Sequence, residues 1–365
     1  MHDVAVLHDI FLAFVARLAG LLGRDLAAEA DEVVVGDEHP IHVTRSVGIQ
    51  HDLDATQRSA LLLGAERVIA IDEPKLAERL IASARKKQVA DLSVTLNEDY
   101  PVTWPGYGAG EEASRYVAKV LNKFAPSRGP YFALTHMLDS QVGTHLLLPS
   151  FSLPREGFDN GTYAPEVAAA LKKYEKQFGP RGTSSLTTEK APLEKLMGDA
   201  RVIDVRKLVG STKKSDWPAS PKITVDHIKQ YEAAKGPIRA GEIVLFNSGY
   251  VDAHYKPLPD APEVDGMFVA PLAGTSEGWP APTPEAVAYL ADKGVRTIGT
   301  DGPTLGGVDR ENALFVNWLA GTREMFIVEY LTSLAEIRER PAFFIFAPIK
   351  IEGTRGGYGR AIALY

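Results

Sequence analysis

The side chains best suited to acid–base or metal chemistry are concentrated between His136 and His145. His136, Asp139 and His145 lie in one segment of ten residues. A histidine changes charge near neutral pH, so it can donate or accept a proton, and its neutral imidazole is a common metal ligand. A nearby carboxylate can orient such a histidine or join it as a ligand. This segment is therefore the first candidate for an active site, although a lone histidine or aspartate is more often structural.

The composition excludes several classes of function. The 365-residue chain has no cysteine, which excludes disulfides, thiolate zinc sites and cysteine nucleophiles. Its net charge of −7 argues against a protein that binds nucleic-acid backbones, because it lacks the dense basic surface that displaces counterions. No apolar run reaches membrane-spanning length, and acidic residues precede the apolar segment 10–22 where a signal peptide has basic ones. We therefore expect a cytoplasmic protein with a small-molecule substrate, and neither a nucleic-acid nor a membrane partner.

Residues 1–88 are predicted to form a mostly helical N-terminal extension. The segment 10–22 has apolar residues at helical spacing, and Glu32–Val35 fits a short strand. Two more helices are predicted over 55–63 and 74–86, the second because it begins with acidic residues and an early proline. Nothing here suggests chemistry, so a structural cap is the simpler interpretation and the role of the extension stays open.

From residue 89 onward the pattern changes to short β-rich runs separated by glycine and proline, which predicts an α/β domain over 89–365. The predicted strands are 90–95, 131–135, 200–204, 242–247, 297–300 and 342–351. The predicted helices are 165–177, 224–234, 283–292, 310–319 and 326–338. Segments 154–190 and 251–282 are expected to form long active-site or interface loops.

Six segments of this domain, in the same order, resemble the bacterial cyclase, or kynurenine formamidase-like, family, which includes isatin hydrolase-like proteins. The segments are 91–93 with 101–106, 191–205, 240–250, 294–304, 329–331 and 347–353. The resemblance implies a swivelling β/β/α fold and a homo-oligomer of two or four subunits. It also implies chemistry on amide, formamide, cyclic imide or lactam-like bonds, but it does not extend to residues 1–88.

The metal-binding segment of the family is altered in this chain. In the family it reads His-x-Gly-Thr-His-x-Asp-x-Pro-x-His, and a His and a Glu from later helices contribute to a zinc or manganese site. Here His145 and Glu329 stand at matching positions. The other positions hold Gln141, Leu147, Phe151 and Asn317. Two good ligands plus neutral amides rarely hold zinc or manganese tightly, so we expect no catalytic metal and no other cofactor.

Without a metal, the resemblance leaves His145 as the principal acid or base, oriented by Glu329. Gln141 and Asn317 are then uncharged partners suited to polarising a carbonyl or binding an enolate oxygen. The remaining candidates for the substrate pocket are Leu147, Phe151, Trp104, Tyr107, Asp139 and Asp301.

Several of these candidates also have simpler explanations. The rings of Trp104 and Tyr107 can contact a substrate ring or merely pack. Asp301 ends a predicted strand, where functional groups are frequent, but a turn-stabilising hydrogen bond explains it as well. His136 and Asp139 can replace lost metal ligands only if the backbone shifts.

Three functions follow as hypotheses. The first is an enzyme that hydrolyses or closes a small cyclic carbonyl compound by metal-free acid–base chemistry. The second is a catalytically inactive relative that binds a ligand or a partner. The third is a metal-dependent amidohydrolase with rearranged ligands.

Overall fold

The computed structural model describes residues 73–86, 88–104, 116–125, 127, 129–258 and 267–365. These residues belong to one unit, Ala70–Tyr365. The predictions for 10–22, 32–35 and 55–63, and that for Tyr107, lie outside the described residues. The extension 1–88 and its boundary therefore stay predictions.

An eight-stranded mixed sheet forms the centre of this unit. In pairing order its strands are β1 (Val89–Asp91), β12 (Gly356–Leu364), β11 (Ala342–Pro348), β5 (Met197–Asp204), β7 (Ile243–Asn247), β9 (Thr297–Thr300), β10 (Phe326–Glu329) and β4 (His145–Leu147). Strands β5, β7, β9 and β10 are parallel, and β4 is antiparallel to β10. Because β4 also pairs with β12, the sheet curls back on itself like a barrel.

Two small sheets accompany the main one. Strands β2 (Val117–Lys123) and β3 (Phe132–Met137) form an antiparallel hairpin, and β6 (Lys222–Ile223) pairs with β8 (Ala281–Pro282). The hairpin leads through residues 138–141 directly to the segment that contains β4.

The helices connect these strands. They are α1 (Glu73–Arg85), α2 (Pro149–Ser152), α3 (Pro165–Phe178), α4 (Val225–Lys235), α5 (Tyr250–His254), α6 (Val269–Leu272), α7 (Pro284–Asp292) and α8 (Arg310–Thr322). Their starts follow local chemistry: α3 and α7 begin with proline, which suits the first turn, and the Thr283 side chain caps α7 by accepting from Ala286 N. None of the helices described is long and apolar enough to cross a membrane.

The sheet separates two hydrophobic cores. One lies between the sheet and α3, α4, α7 and α8, and the other is formed with β1, β11 and β12. Strand β7 is buried along its whole length, as expected for a parallel strand covered on both faces. A smaller aromatic cluster contains Tyr250, Phe268, Trp279 and Tyr330.

Most predicted elements of the α/β domain are confirmed, and 297–300 matches β9 at both ends. The predicted helix 326–338 is wrong. Its first four residues form β10, which inserts between β9 and β4, and only Leu334–Glu336 form a short 3₁₀ turn. Glu329 therefore lies on a strand and not on a helix. Burial on both faces of β10 overrides the helical pattern, because tertiary pairing outweighs local propensity.

Candidate active site

His145 and Glu329 face each other across two antiparallel strands. They are direct register partners in the β4–β10 pair, and His145 Nε2 lies 3.1 Å from Glu329 Oε2. Both side chains are nearly inaccessible to solvent, at 5% and 3% exposure. Two ionisable groups are thus held together inside the protein, where a charge is tolerated only if it is paired.

The surrounding hydrogen bonds decide where the protons lie. His145 Nδ1 is 2.7 Å from the carbonyl oxygen of Gly143, which can only accept, so Nδ1 carries a hydrogen. If Nε2 had no hydrogen and Glu329 were ionised, the Nε2 lone pair would face a carboxylate oxygen, and the two would repel each other. One proton is therefore shared between Nε2 and Oε2, as an imidazolium–carboxylate pair or its neutral equivalent.

The second oxygen of Glu329 is also occupied, because Oε1 accepts a hydrogen bond of 2.6 Å from Leu305 N. Every polar side-chain atom of the pair therefore has a partner within the protein. His145 has no free nitrogen in this arrangement, whereas each carboxylate oxygen keeps a second lone pair. The role of His145 as the principal acid or base stays a prediction; in this arrangement its imidazole donates on both sides, and free lone pairs remain only on the carboxylate.

The pair borders a cavity of about 200 Å³, called here the His145 cavity. This volume is below the ~300–1,000 Å³ of typical drug-sized sites, so it suits a small ligand. The cavity is lined by Trp104, Gln141, His145, Leu147, Phe151, Phe268, Pro303, Thr304, Asn317, Glu329 and Tyr330. The structure thus brings seven residues selected from the sequence around one space, while their roles stay predictions.

The polar wall of the cavity is formed by neutral amides and a hydroxyl. Gln141 Nε2 donates to Ser140 Oγ at 2.7 Å, and Asn317 Nδ2 donates to the Ala313 carbonyl oxygen at 2.9 Å. Within the described part of the chain, the buried atoms Asn317 Oδ1 and Thr304 Oγ1 have no hydrogen-bond partner. Buried polar atoms of this kind are costly unless water or a ligand satisfies them.

The apolar wall is formed mainly by aromatic rings. Trp104 packs edge-on against Phe268, with ring centroids 5.4 Å apart, and Leu147 is buried. Phe151 is 37% exposed beside the cavity. Sequence reasoning missed Phe268, although the predicted loop 251–282 contains it. It also missed Tyr330, which directly follows Glu329, and Pro303 and Thr304, which lie two and three residues after Asp301.

Asp139 is not among the residues that line the cavity. Its Oδ1 accepts a hydrogen bond of 2.6 Å from Gln141 N, and its buried Oδ2 has no partner among the described residues. Burial raises the pKa of this carboxyl above its usual value, while the Gln141 N–H and the positive charge of His145 lower it. Asp139 thus supports the Gln141 backbone behind the cavity, and a contact with substrate stays a prediction.

Asp301 is likewise not among the residues that line the cavity. Its carboxyl accepts hydrogen bonds from the backbone N–H groups of Ser248 and Gly249 and from Ser248 Oγ, and the residue is 1% exposed. Burial raises the pKa of Asp301 to about 7, against the effect of these donors. The geometry supports the turn-stabilising explanation, and Pro303 and Thr304 from the same turn reach the cavity instead.

His136 lies on the exposed hairpin strand β3, where its Nδ1 is 2.9 Å from the Tyr116 hydroxyl. Among the described residues, no three His, Cys, Asp or Glu side chains converge as a metal site would require. Leu147 supplies no metal ligand, and both nitrogens of His145 already have partners in Glu329 and the Gly143 carbonyl. The residues present therefore do not fit a tightly held zinc or manganese ion.

A larger cleft, of about 350 Å³, lies beside β5 and β11. It is lined mainly by charged side chains that already form ion pairs, such as Arg201 with Glu242 and Lys235 with Glu339. It contains neither an unpaired acid nor a histidine, so the His145 cavity is the better candidate for chemistry.

Comparison with known proteins agrees with this fold. Over 244 residues, 65% of this chain and 77% of the relative, the chain is 29% identical to isatin hydrolase of Roseibium aggregatum. Two solved structures share its fold: isatin hydrolase A from Ralstonia solanacearum (TM-score 0.57, 23% identity, 81% of this chain and 98% of that one), and an isatin hydrolase bound to the product analogue thioisatinate (TM-score 0.58, 21% identity, 80% and 98%). The family model described as "Putative cyclase" matches residues 90–306, more than half of the chain. The protein therefore belongs to the cyclase family.

Proposed function

We propose that this protein hydrolyses, or forms by the reverse reaction, a small cyclic amide, imide or ester, and that it does so without a catalytic metal. The observation that carries this proposal is the buried contact of 3.1 Å between His145 and Glu329 beside the His145 cavity. The similarity of this chain to isatin hydrolase adds support, because isatin is a bicyclic compound whose five-membered ring contains an amide.

The His145–Glu329 pair is suited to proton transfer in both directions. In hydrolysis, a carboxylate lone pair of Glu329 takes a proton from the attacking water while the new C–O bond forms at the ring carbonyl. The imidazolium of His145 balances the charge of the pair. When the ring C–N or C–O bond breaks, the same pair returns a proton to the leaving nitrogen or oxygen.

The rest of the cavity supports this chemistry. Gln141 keeps an amide N–H that is not used by Ser140, and this N–H is suited to polarising the substrate carbonyl. Leu147 and the rings of Trp104 and Phe268 exclude water and give an apolar surface for a small ring. A low-polarity surrounding strengthens each of these electrostatic contacts.

The test uses protein treated with a chelator and then freed of it. Hydrolysis of isatin, phthalimide and the lactone phthalide is followed by the ultraviolet spectra of their ring-opened products. We expect turnover of at least one ring compound, and a loss of turnover of roughly 10²–10⁴-fold in His145→Ala. His136→Ala is the matched control, because this histidine is on the exposed hairpin. Unchanged turnover in His145→Ala would show that the assignment is wrong.

A binding protein without catalytic activity is the second candidate. The observation that favours it is that both nitrogens of His145 and both oxygens of Glu329 already have partners in the protein. Such a protein would bind ring compounds, detectable by calorimetry, and turn over none of them. Any turnover that disappears in His145→Ala would eliminate this candidate.

A further inference from the structure

Asn317 lies on α8, and among the described residues only one end of its side-chain amide has a hydrogen-bond partner. Its Nδ2 donates to the carbonyl oxygen of Ala313, four residues earlier on the same helix, at 2.9 Å. A carbonyl oxygen only accepts, so the reversed amide would bring two acceptors together. The orientation of the amide is therefore fixed, and Oδ1 is the atom left without a partner in the described part of the chain.

The position of Asn317 makes this atom relevant to a ligand. Asn317 lines the His145 cavity together with Gln141 and Glu329. Oδ1 is buried, and an amide oxygen can only accept a hydrogen bond. The hydroxyl of Thr304 is also buried without a partner among the described residues. Because this hydroxyl can rotate to donate or accept, it discriminates less strongly between ligand donors and acceptors.

We propose that Asn317 Oδ1 is a specificity-determining acceptor that binds an N–H group of the substrate. This inference rests on the proposed function, since among small cyclic carbonyl compounds the donor adjacent to the carbonyl is the amide or imide N–H. The cavity then favours unsubstituted lactams and imides, and discriminates against N-alkylated rings and lactones. The substrate N–H would then pair an acceptor that has no partner among the described residues.

The discrimination comes from the cost of leaving a buried acceptor unpaired. A ligand without an N–H gives no hydrogen bond to Oδ1 and leaves it buried without a partner. A site built to hydrogen-bond a polar group rejects analogues that lack it more strongly than an apolar pocket rejects an extra methylene. For one neutral hydrogen bond we expect a preference of roughly tenfold or more.

The experiment compares isatin with N-methylisatin, and phthalimide with N-methylphthalimide. Turnover is measured with the wild-type protein and Asn317→Leu, and equilibrium binding of the same compounds is measured with His145→Ala. Leucine has a similar volume but no acceptor. Circular dichroism and thermal unfolding establish that each variant is folded.

We expect the wild-type protein to prefer the N–H compounds by roughly tenfold or more, and Asn317→Leu to lose most of this preference. A preference that persists in Asn317→Leu would mean that the methyl group is rejected by shape alone, which overturns the inference. Equal turnover of the N–H and N-methyl compounds by the wild-type protein overturns it too, but leaves the proposed function in place.

Binding separates the two proposals if no compound is turned over. Tighter binding of the N–H compounds to His145→Ala then supports the acceptor at Asn317, although the proposed function has failed. Equal binding, or no binding of any of the four compounds, overturns the inference. If Asn317→Leu does not fold, Asn317→Ala, which also removes the acceptor, takes its place in the same comparison.

Discussion

Glu329 Oε2 lies 3.1 Å from His145 Nε2, and the two residues are direct partners in the β4–β10 ladder. The carbonyl oxygen of Gly143 fixes the hydrogen on the opposite nitrogen of His145. The pair must therefore hold one shared proton. A substitution that keeps the hydrogen bonds of the pair but removes its negative charge can therefore separate its effect on stability from its effect on catalysis.

Glu329→Gln tests the shared proton with little change in shape. The glutamine oxygen can still accept from Leu305 N, and its N–H can donate to a neutral His145, so the hydrogen-bond pattern survives. We expect a loss of stability of only about 1–2 kcal/mol. Turnover of a ring substrate should fall by roughly 10²–10⁴-fold, mainly in kcat, because the proton acceptor is gone.

Steady-state kinetics and urea denaturation measure these two effects in the same preparation. Glu311→Gln is the matched control, since Glu311 forms an exposed ion pair with Lys173 on the surface, and such pairs contribute little to stability. If Glu329→Gln kept full turnover, the carboxylate would be a structural partner of His145 and would not be the base.

Gly143→Ala tests the backbone that holds His145. Gly143 has a φ of +53°, and an added Cβ would lie 2.5 Å from Leu96 Cδ2. A left-handed conformation costs a non-glycine residue about 1–3 kcal/mol, and the clash adds to this. The Gly143 carbonyl would shift and release His145 Nδ1, so we expect lower stability and at least tenfold lower turnover. Gly353→Ala is the control, because this glycine has a φ of +79° with no atom near the added Cβ. Equal effects in both variants would mean that strain alone, and not the clash beside His145, explains the loss.

Local sequence patterns predicted the elements that are stabilised locally. Helix α3 begins with Pro165 and ends before Gly179, and both signals are visible in the sequence. Strand β4 has only three residues, and β12 contains Gly356, whose close approach to the Leu146 carbonyl leaves no room for a side chain. Such strands exist because of partners far away in the chain, so no local pattern reveals them.

In the candidate site, too, the sequence predicted some features, and others depend on parts of the chain that are distant in sequence. The resemblance to the cyclase family selected His145 and Glu329, but it placed Glu329 on a helix, whereas the structure has it on β10. The direction of each lone pair depends on backbone positions such as those of Gly143 and Leu305, which composition does not encode. Phe268 and Thr304 reach the cavity only because the fold brings distant loops together.

The stability of the protein should depend on the ionisation of Asp301. Its pKa is raised by burial from 3.8 to about 7 in the folded protein. Because the folded value is above the unfolded value, the stabilising contribution is complete below about pH 4 and is lost as pH rises through about 7. We expect the free energy of unfolding to fall over this window by a few kcal/mol, since a pKa difference of one between the folded and unfolded states corresponds to about 1.4 kcal/mol.

Urea denaturation at several pH values measures how the free energy of unfolding changes with pH. Asparagine at position 301 does not titrate, so Asp301→Asn should lack this part of the decrease of unfolding free energy with pH. The variant should also be less stable at every pH, because its side-chain N–H₂ faces the N–H donors of Ser248 and Gly249. Identical slopes in the wild-type protein and the variant would show that another group is responsible for the pH dependence.

Leu147→Asp tests whether a carboxylate at this position would complete a metal site with His145 and Glu329. Leu147 is buried beside His145, so a carboxylate there loses apolar contacts and must be desolvated. In the absence of metal we expect a loss of about 2–5 kcal/mol of unfolding free energy. The new carboxylate, His145 and Glu329 would together provide three ligands, enough for zinc with a water molecule.

Thermal unfolding with and without zinc measures this effect. Zinc at a hundred times its dissociation constant should restore about 2.7 kcal/mol to Leu147→Asp. The restoration should increase with pH, because the metal must displace the proton shared by His145 and Glu329. Leu147→Asn has the same shape without the charge, so zinc should stabilise it far less, and the wild-type protein should not respond. Equal stabilisation of the wild-type protein by zinc would mean that a metal site already exists there, built from donors other than a carboxylate at this position.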